Sequence, residues 1–278
     1  MIRMFHRKKA PKRVNGTGDI VQADLNGNSI ADAGNEDSIV RIEDVHKSFI
    51  MGKEAVPALR GVSLNVRRGE ILCLMGPSGS GKTTLLNILG GLDTPSRGHV
   101  VVDGENVVAL NEEKLARLRL RKMGFVFQNF NLLSSFTALE NVQVPMVLNG
   151  KSDPKRAQSL LRMVGLGDRM GHYPSELSGG QQQRVAIARA LANDPPLIIG
   201  DEMTGDLDTQ TSYEIMELLV QLNQERRTTI VFVTHDPRMS KFAHRVILMR
   251  DGKLEDEQVQ AFSGQEAAIS AQQPVPAY

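Results

Sequence analysis

The stretch "GPSGSGKTT", Gly76–Thr84, decides the fold of this chain. It fits G-x-x-x-x-G-K-[ST], follows the strand-like run "EILCLM" and precedes "LLNILGG", a helix signal. Glycines in such a turn let backbone N–H groups curl around phosphate oxygens. The flanking elements argue against the alternative, a glycine-rich turn with an incidental lysine. We therefore predict a phosphate site formed by Gly76, Pro77, Ser78, Gly79, Ser80, Gly81, Lys82, Thr83 and Thr84.

Two residues of this stretch carry chemistry beyond binding. Lys82 can reach the β- and γ-phosphates of a nucleotide, and the Thr83 hydroxyl can ligate Mg²⁺. We therefore expect ATP and Mg²⁺ as ligands and count Lys82 among the catalytic groups and Thr83 among the metal ligands.

The run "PLIIGDE" supplies acids that complement the phosphate site. Its apolar residues predict a buried strand that ends at Asp201 and Glu202, and ligands collect at the carboxyl ends of strands in open α/β sheets. Asp201 would hold Mg²⁺ through water, since Mg²⁺ keeps much of its hydration shell. Glu202 would polarise the attacking water. The alternative is a pair of solvated acids that cap a strand.

Gln128 and His235 end two further apolar runs, "MGFVFQ" and "TIVFVTH". Each alone is typical of an ordinary polar residue at a strand end. Three strand ends that converge on one phosphate loop favour a catalytic interpretation of both residues.

The spacing of the remaining elements predicts an α/β domain. "SIVRIEDVHKSF", "GVSLNVRRGEILCLM" and "HVVVDGENV" lie close together in sequence and suggest an antiparallel sheet, whereas "GFVF", "PLIIGD" and "TTIVFVTHD" are separated by helices and suggest parallel strands. Residues 129–177 carry no strand signal and suggest helices near 138–148 and 154–164. We predict a domain over 38–260 between disordered tails at 1–37 and 261–278.

Composition excludes several classes. Of the 278 residues only 4% are aromatic, and the formal net charge is +1, so we expect no nucleic-acid partner. One cysteine permits no disulfide within the chain. We find no apolar stretch of about eighteen residues and expect no membrane span.

The sequence resembles the nucleotide-binding subunit of ABC transporters across nearly all of residues 38–260. The resemblance is carried by "GPSGSGKTT", Gln128 in "FVFQNFNLL", "LSGGQ" at 177–181, "LIIGDE", "GDLD" at 205–208 and His235. "LLNILGGLDTPSRGHVVVDG" and "TALENV" look closest to the lipoprotein-releasing and macrolide-exporter branch. The resemblance implies a P-loop NTPase (RecA-like) core with an antiparallel β subdomain and an inserted helical subdomain at about 129–177.

The family also implies a homodimer whose ATP sites are shared between chains. The "LSGGQ" helix would face the γ-phosphate held by the other chain, with contacts from Ser178 and Gly180 and with Gly179 and Gln181 nearby. Asp208 would lie in a loop that touches the opposite phosphate loop.

Further roles follow from the resemblance. His235 would sense the γ-phosphate and orient Glu202, and Gln128 would contact Mg²⁺ or water and connect the site to the helical segment. Phe49 stands where a tyrosine usually stacks on adenine; a core phenylalanine at a strand end is the alternative.

Two positions depart from the family pattern. Met203 replaces the usual proline after the catalytic glutamate, which should loosen the loop that holds Glu202. Asp206 replaces Asn or a small residue, so its carboxylate either faces the opposite nucleotide or points to solvent and caps the next turn.

The function implied is the ATP-hydrolysing subunit of an ABC transporter, peripheral on the cytoplasmic face of the inner membrane. It would power a separate membrane permease for export or for extraction of lipoproteins, peptides or drugs. A permease-like signalling complex that moves no substrate is one alternative. A soluble ABC ATPase is another, although the chain lacks the coiled-coil insertion, zinc cysteines or tandem domains usual there.

Overall fold

The computed structural model describes residues 37–52 and 54–260, so the predicted tails at 1–37 and 261–278 lie outside it, apart from Asp37. In chain order the strands are β1 (Ser38–Met51), β2 (Glu54–Arg67), β3 (Ile71–Met75), β4 (Arg97–Val102), β5 (Glu105–Asn106), β6 (Met123–Phe127), β7 (Leu197–Asp201), β8 (Thr229–Thr234), β9 (Arg245–Arg250) and β10 (Lys253–Val259). The α-helices are α1 (Lys82–Leu89), α2 (Glu112–Lys122), α3 (Ala138–Leu148), α4 (Pro154–Met163), α5 (Gly179–Ala190), α6 (Thr209–Arg226) and α7 (Pro237–Ser240). Short 3₁₀ helices cover Val107–Ala109, Gly167–Arg169 and Pro174–Glu176.

The first sheet is antiparallel and has the strand order β2-β1-β4-β5. Its hairpin between β4 and β5 turns at Asp103 and Gly104, which both have positive φ. The grouping of Ile71–Met75 with these strands was wrong, because that strand pairs in parallel with β8 and β9. Its unbroken run of buried residues is typical of a central parallel strand rather than of a sheet with one solvated face.

The second sheet has the order β10-β9-β3-β8-β7-β6 and holds the site. Strands β3, β8, β7 and β6 are mutually parallel, and their ends lie within one residue of each other in register: Met75 pairs with Thr234, and Asp201 pairs with Val233 and Phe127. Whatever follows these strands therefore lies along one edge of the sheet.

The helices predicted near 138–148 and 154–164 are present as α3 and α4. Thr137 and Glu140 form a capping box at the start of α3, and Asp153 caps α4, which has Pro154 in its first turn. Buried residues of both helices share a hydrophobic core with α5 and with the parallel sheet, which ties the helical segment to the site. Among the described residues, no helix is both long enough and apolar enough to span a membrane.

Candidate functional site

The loop after β3 is closely packed at its glycines. A Cβ on Gly76 would lie 2.2 Å from the Met249 carbonyl oxygen, and a Cβ on Gly81 would lie 2.6 Å from that of Ala58. Neither position accepts a side chain without moving backbone, so the loop fits against its neighbours only as glycine.

Lys82 lies inside this loop. Its Nζ donates hydrogen bonds to the carbonyl oxygens of Gly76, at 2.8 Å, and of Pro77, at 2.9 Å. Burial lowers the pKa of Lys82, and the nearby carboxylates of Glu202 and Asp201 partly offset that effect. The Ser80 hydroxyl is also buried and has no hydrogen-bond partner among the described residues. A buried cation beside an unpaired hydroxyl and a glycine-rich backbone fits a phosphate ligand.

The oxygens needed for a hard cation meet next to the loop. The Thr83 hydroxyl donates to Asp201 Oδ1 at 3.3 Å, which joins the start of α1 to the end of β7. Burial raises the pKa of Asp201 and the Glu202 carboxylate raises it further, while the Thr83 hydrogen bond and Lys82 act in the opposite direction. Hydroxyl and carboxylate oxygens suit Mg²⁺, which dehydrates reluctantly and needs few protein ligands. The described residues hold no cluster of three or more His, Cys, Asp or Glu side chains placed to bind a metal.

Glu202 and His235 follow the neighbouring strands β7 and β8 and are in contact. His235 Nδ1 lies 2.7 Å from Glu202 Oε2, and the Glu202 backbone N–H donates to the Val233 carbonyl oxygen at 3.2 Å. A carboxylate only accepts, so His235 Nδ1 carries the hydrogen of this bond. Glu202 also has φ of 47°, a conformation uncommon outside glycine. The proximity predicted from the strand ends is therefore present, because His235 and Glu202 are in direct contact.

Gln128 follows β6 at the same edge, as the sequence predicted, but its hydrogen-bond partner is unexpected. Its Nε2 donates to Asp206 Oδ1 at 2.8 Å. The alternative in which Asp206 caps the next turn was wrong, because its carboxylate binds the Gln128 amide and the side chain that caps the next helix is that of Asp208. A position of Asp206 near the nucleotide of an opposite chain stays a prediction.

Comparison with known proteins agrees with this geometry. The ABC transporter family model matches residues 59–205. An uncharacterized ABC transporter ATP-binding protein of Thermotoga maritima is 51% identical over 220 residues, which cover 78% of this chain and 94% of that protein. The chain belongs to the ABC transporter family. It is an ATP-binding ATPase component of that family.

Further relatives confirm the fold and show how much of each protein is matched. The macrolide export ATP-binding/permease protein MacB of Syntrophobacter fumaroxidans is 50% identical over 224 residues, 79% of this chain and 31% of that protein. One similar structure is that of the ATP-binding cassette MJ0796 of Methanocaldococcus jannaschii, a dimer in a post-hydrolysis state bound to ADP and Pi. It aligns with a TM-score of 0.75 at 45% identity, and the alignment covers 80% of this chain and all of that one. The predicted P-loop NTPase fold is thereby confirmed. The chain spans less than half the length of the longer relatives that it matches.

In this ABC ATPase the loop after Glu202 is held by contacts that the sequence did not reveal. Met203 is 3% exposed, and its side chain packs against Gly200. The backbone carbonyl oxygen of Met203 accepts a hydrogen bond of 2.5 Å from Gln183 Nε2. The expected loosening through loss of proline is opposed by these two anchors. Gln183 was overlooked, although it lies at helical spacing with the buried Ala186, Ile187 and Ala190 on one face of α5.

The "LSGGQ" segment, Leu177–Gln181, forms the start of α5. Ser178 Oγ accepts from the Gln181 N–H at 3.3 Å, and Gln181 Oε1 accepts from the Ser178 N–H at 3.0 Å, which makes a capping box. A Cβ on Gly180 would lie 2.4 Å from Thr211 Cγ2, so this glycine also lets α5 and α6 approach. Within this chain each of the two side chains thus accepts a hydrogen bond from the backbone N–H of the other residue.

Asp208, placed by the family pattern near the opposite phosphate loop, caps α6. Its carboxylate accepts from the Thr211 N–H at 3.0 Å and from the Thr211 hydroxyl at 2.6 Å. The hydroxyl hydrogen bond and then the backbone one lower the pKa of Asp208.

Phe49 lies at the end of the β1–β2 hairpin that borders the phosphate loop. It is 43% exposed, which excludes the alternative of a core phenylalanine, and Lys47 Nζ lies 5.0 Å from its ring centroid. Its β2 partner is Val56, two residues before Ala58, whose carbonyl oxygen faces Gly81. An exposed ring on this hairpin can stack on a nucleobase.

Proposed function

We propose that this ATPase works as a homodimer on the cytoplasmic face of the inner membrane and drives a separate permease. The cargo class that fits the proposal is an exported lipoprotein, peptide or drug, and the similarity to the macrolide export protein MacB supports export. The observation that carries the catalytic part is the meeting of the Thr83–Asp201 and His235–Glu202 pairs beside the phosphate loop.

The proposed mechanism assigns one task to each group. The backbone N–H groups of the phosphate loop and Lys82 bind the β- and γ-phosphates of ATP. Thr83, Asp201 and Gln128 would hold Mg²⁺, which when bound neutralises charge on the phosphate oxygens. Glu202 orients the attacking water, and His235 holds Glu202 in place. Because phosphoryl transfer depends chiefly on positioning and electrostatics, fixing these groups supplies most of the catalysis.

The dimer explains why α5 begins with "SGGQ". A helix N-terminus is a weak anion site, worth about 0.3–1 kcal/mol at an exposed position. It gains importance when ATP is already held opposite and water is excluded. ATP held by one chain would thus be completed by Ser178, Gly179, Gly180 and Gln181 of the other, with Asp208 nearby, and hydrolysis would release the two chains. The dimeric structure of the relative MJ0796 supports this assembly.

A permease would dock on a cleft between the helical segment and α2. A cleft of about 430 Å³ is lined by residues of α2, α3, α5 and β6 and by Leu92. Leu92 is 48% exposed, and Leu133, Phe136, Val147 and Leu148 are also exposed. An apolar cleft with exposed apolar neighbours suits a short amphipathic helix of a membrane partner.

The catalytic part is tested by phosphate release from the purified chain with ATP and Mg²⁺. Lys82→Ala should abolish release, while Arg117→Ala, which removes only an exposed ion pair with Glu113, should leave it unchanged. Equal release by Lys82→Ala would contradict the assignment.

The docking part is tested with a candidate ABC permease subunit co-expressed with this chain. Leu92→Asp should prevent co-purification in detergent, whereas Val259→Asp, at a 79% exposed position on β10, should not. Co-purification of both variants would place the permease on another surface.

A further inference from the structure

The Gln128–Asp206 hydrogen bond joins two loops of the site. Gln128 follows β6 and Asp206 lies beyond β7, in a loop whose backbone the Gln128 amide touches. A Cβ on Gly205 would lie 3.1 Å from both Cδ and Nε2 of Gln128, so the amide rests on a bare stretch of main chain. The Asp206 carboxylate accepts the amide hydrogen at 2.8 Å.

The chemistry of this pair selects one orientation of the amide. A carboxylate only accepts hydrogen bonds, so it binds the NH₂ end of Gln128 and rejects the carbonyl end. The amide is planar, which leaves its oxygen Oε1 on the side away from Asp206. An asparagine at position 206 could accept or donate and would allow either orientation.

We propose that Asp206 is a positioning residue that fixes the Gln128 amide with Oε1 available to a hard cation at the phosphate loop. The inference rests on the proposed function, in which Gln128 contacts Mg²⁺. Oxygen is the atom that Mg²⁺ requires, and the nitrogen end of the amide cannot replace it. Asp206 therefore acts on the metal through Gln128 and touches neither metal nor ATP.

The opposite effect of the same bond is physically possible, and it gives the opposite result. If Asp206 restrained Gln128 away from the metal, removal of the carboxylate would tighten metal-dependent binding of ATP. The sign of the change thus separates positioning from restraint.

The test compares Asp206→Ala, Asp206→Asn, Gln128→Ala and the double variant Gln128→Ala/Asp206→Ala. The affinity for ATP is measured by titration, once in the presence of Mg²⁺ and once in the presence of a chelator. Asp206→Ala and Gln128→Ala should each weaken the Mg²⁺-dependent part by about three- to tenfold, the range for one charge-assisted hydrogen bond at an exposed position. Asp206→Asn should be intermediate. Binding in chelator should stay within about twofold, and the double variant should equal Gln128→Ala because both changes remove one interaction.

A second readout uses the metal-free protein. The side-chain amide resonances of Gln128, assigned by their absence in Gln128→Ala, should shift in Asp206→Ala. The control is Gln210→Ala, which removes an exposed side chain four residues later and should change neither readout.

The outcomes separate this inference from the proposed function. Tighter Mg²⁺-dependent binding in Asp206→Ala, or unshifted Gln128 resonances, overturns the positioning role. Weakening by Gln128→Ala without any effect of Asp206→Ala overturns it as well while leaving the metal role of Gln128 intact. A wild-type chain that binds no ATP contradicts the proposed function itself.

Discussion

The side chain of Met203 fills the space that a side chain at Gly200 would occupy. A Cβ on Gly200 would lie 2.3 Å from Met203 Sδ and 2.7 Å from its Cε. Gly200 is in β7, one residue before Asp201, and Met203 is one residue after Glu202. The two residues therefore pack as a pair that flanks Asp201 and Glu202 in sequence.

We expect Gly200→Ala to destabilise the protein by about 1–3 kcal/mol, the usual range for overpacking a core. The double variant Gly200→Ala/Met203→Ala should recover part of that loss, because the clashing side chain is gone. Urea unfolding gives both values. Gly171→Ala is the matched control, since a Cβ there meets nothing within 4 Å. Equal stability of Gly200→Ala and the wild type would show that Met203 can move aside freely.

Because Glu202 and His235 are in contact, we expect substitution of either residue to lower turnover, and substitution of Glu202 to lower it more. Glu202→Gln should lower ATPase activity by about 10²–10⁴ while ATP still binds, as for the loss of a positioned base. His235→Ala should lower it less, because Glu202 remains but is less well oriented. Glu113→Gln on the surface of α2 serves as the control. A larger loss from His235→Ala than from Glu202→Gln would reverse the assigned roles.

Much of this site could be predicted from the sequence, and the reason is geometric. Runs such as "LIIGD" mark where strands end, and parallel strands bring those ends to one edge, so Asp201, Gln128 and His235 were located without the structure. Side-chain pairs were not predictable in this way. Gln128 and Asp206 are 78 residues apart in sequence, and a residue type does not reveal which neighbour it will bond.

The placement of Ile71–Met75 failed for a related reason. Nearness in sequence suggested pairing with β1 and β2, whereas complete burial of the strand requires neighbours on both faces. The packing of Met203 on Gly200 likewise depends on local space, which hydrophobic pattern does not encode.

Asp201 should reduce the stability of the metal-free protein. Its pKa is raised in the fold, so the folded state favours the protonated form. Above the folded-state pKa the ionised group is destabilising, and this penalty disappears as pH falls below the ordinary value of 3.8. Asp201→Asn should therefore raise the melting temperature at neutral pH without metal, with a smaller gain in acid, and should weaken binding of ATP with Mg²⁺. Thermal unfolding between about pH 4 and about pH 8 tests the sign of this change in melting temperature. A lower melting temperature of Asp201→Asn at neutral pH would contradict it.

Phe49 should contribute to nucleotide affinity through its ring. Phe49→Ala should weaken ATP binding by about 5- to 150-fold, since stacking of a base on an aromatic side chain is worth roughly 1–3 kcal/mol. GTP should be affected similarly because every base has a π-face. Phe49→Tyr should retain affinity, and Ile50→Ala, at an exposed neighbouring position, should have no effect. Unchanged affinity of Phe49→Ala would remove the ring from the site.

The most direct test of the central claim, that each ATP site is built from two chains, mixes two inactive variants. Lys82→Ala disables the phosphate loop, and Ser178→Arg disables the "LSGGQ" start of α5. A mixed dimer keeps one site with both parts intact, so random pairing of equal amounts should restore about a quarter of the wild-type ATPase activity, by the two-fold symmetry of the dimer. Each variant alone should remain inactive. If the mixture is as inactive as its components, the site lies within one chain and the account of a shared site is wrong.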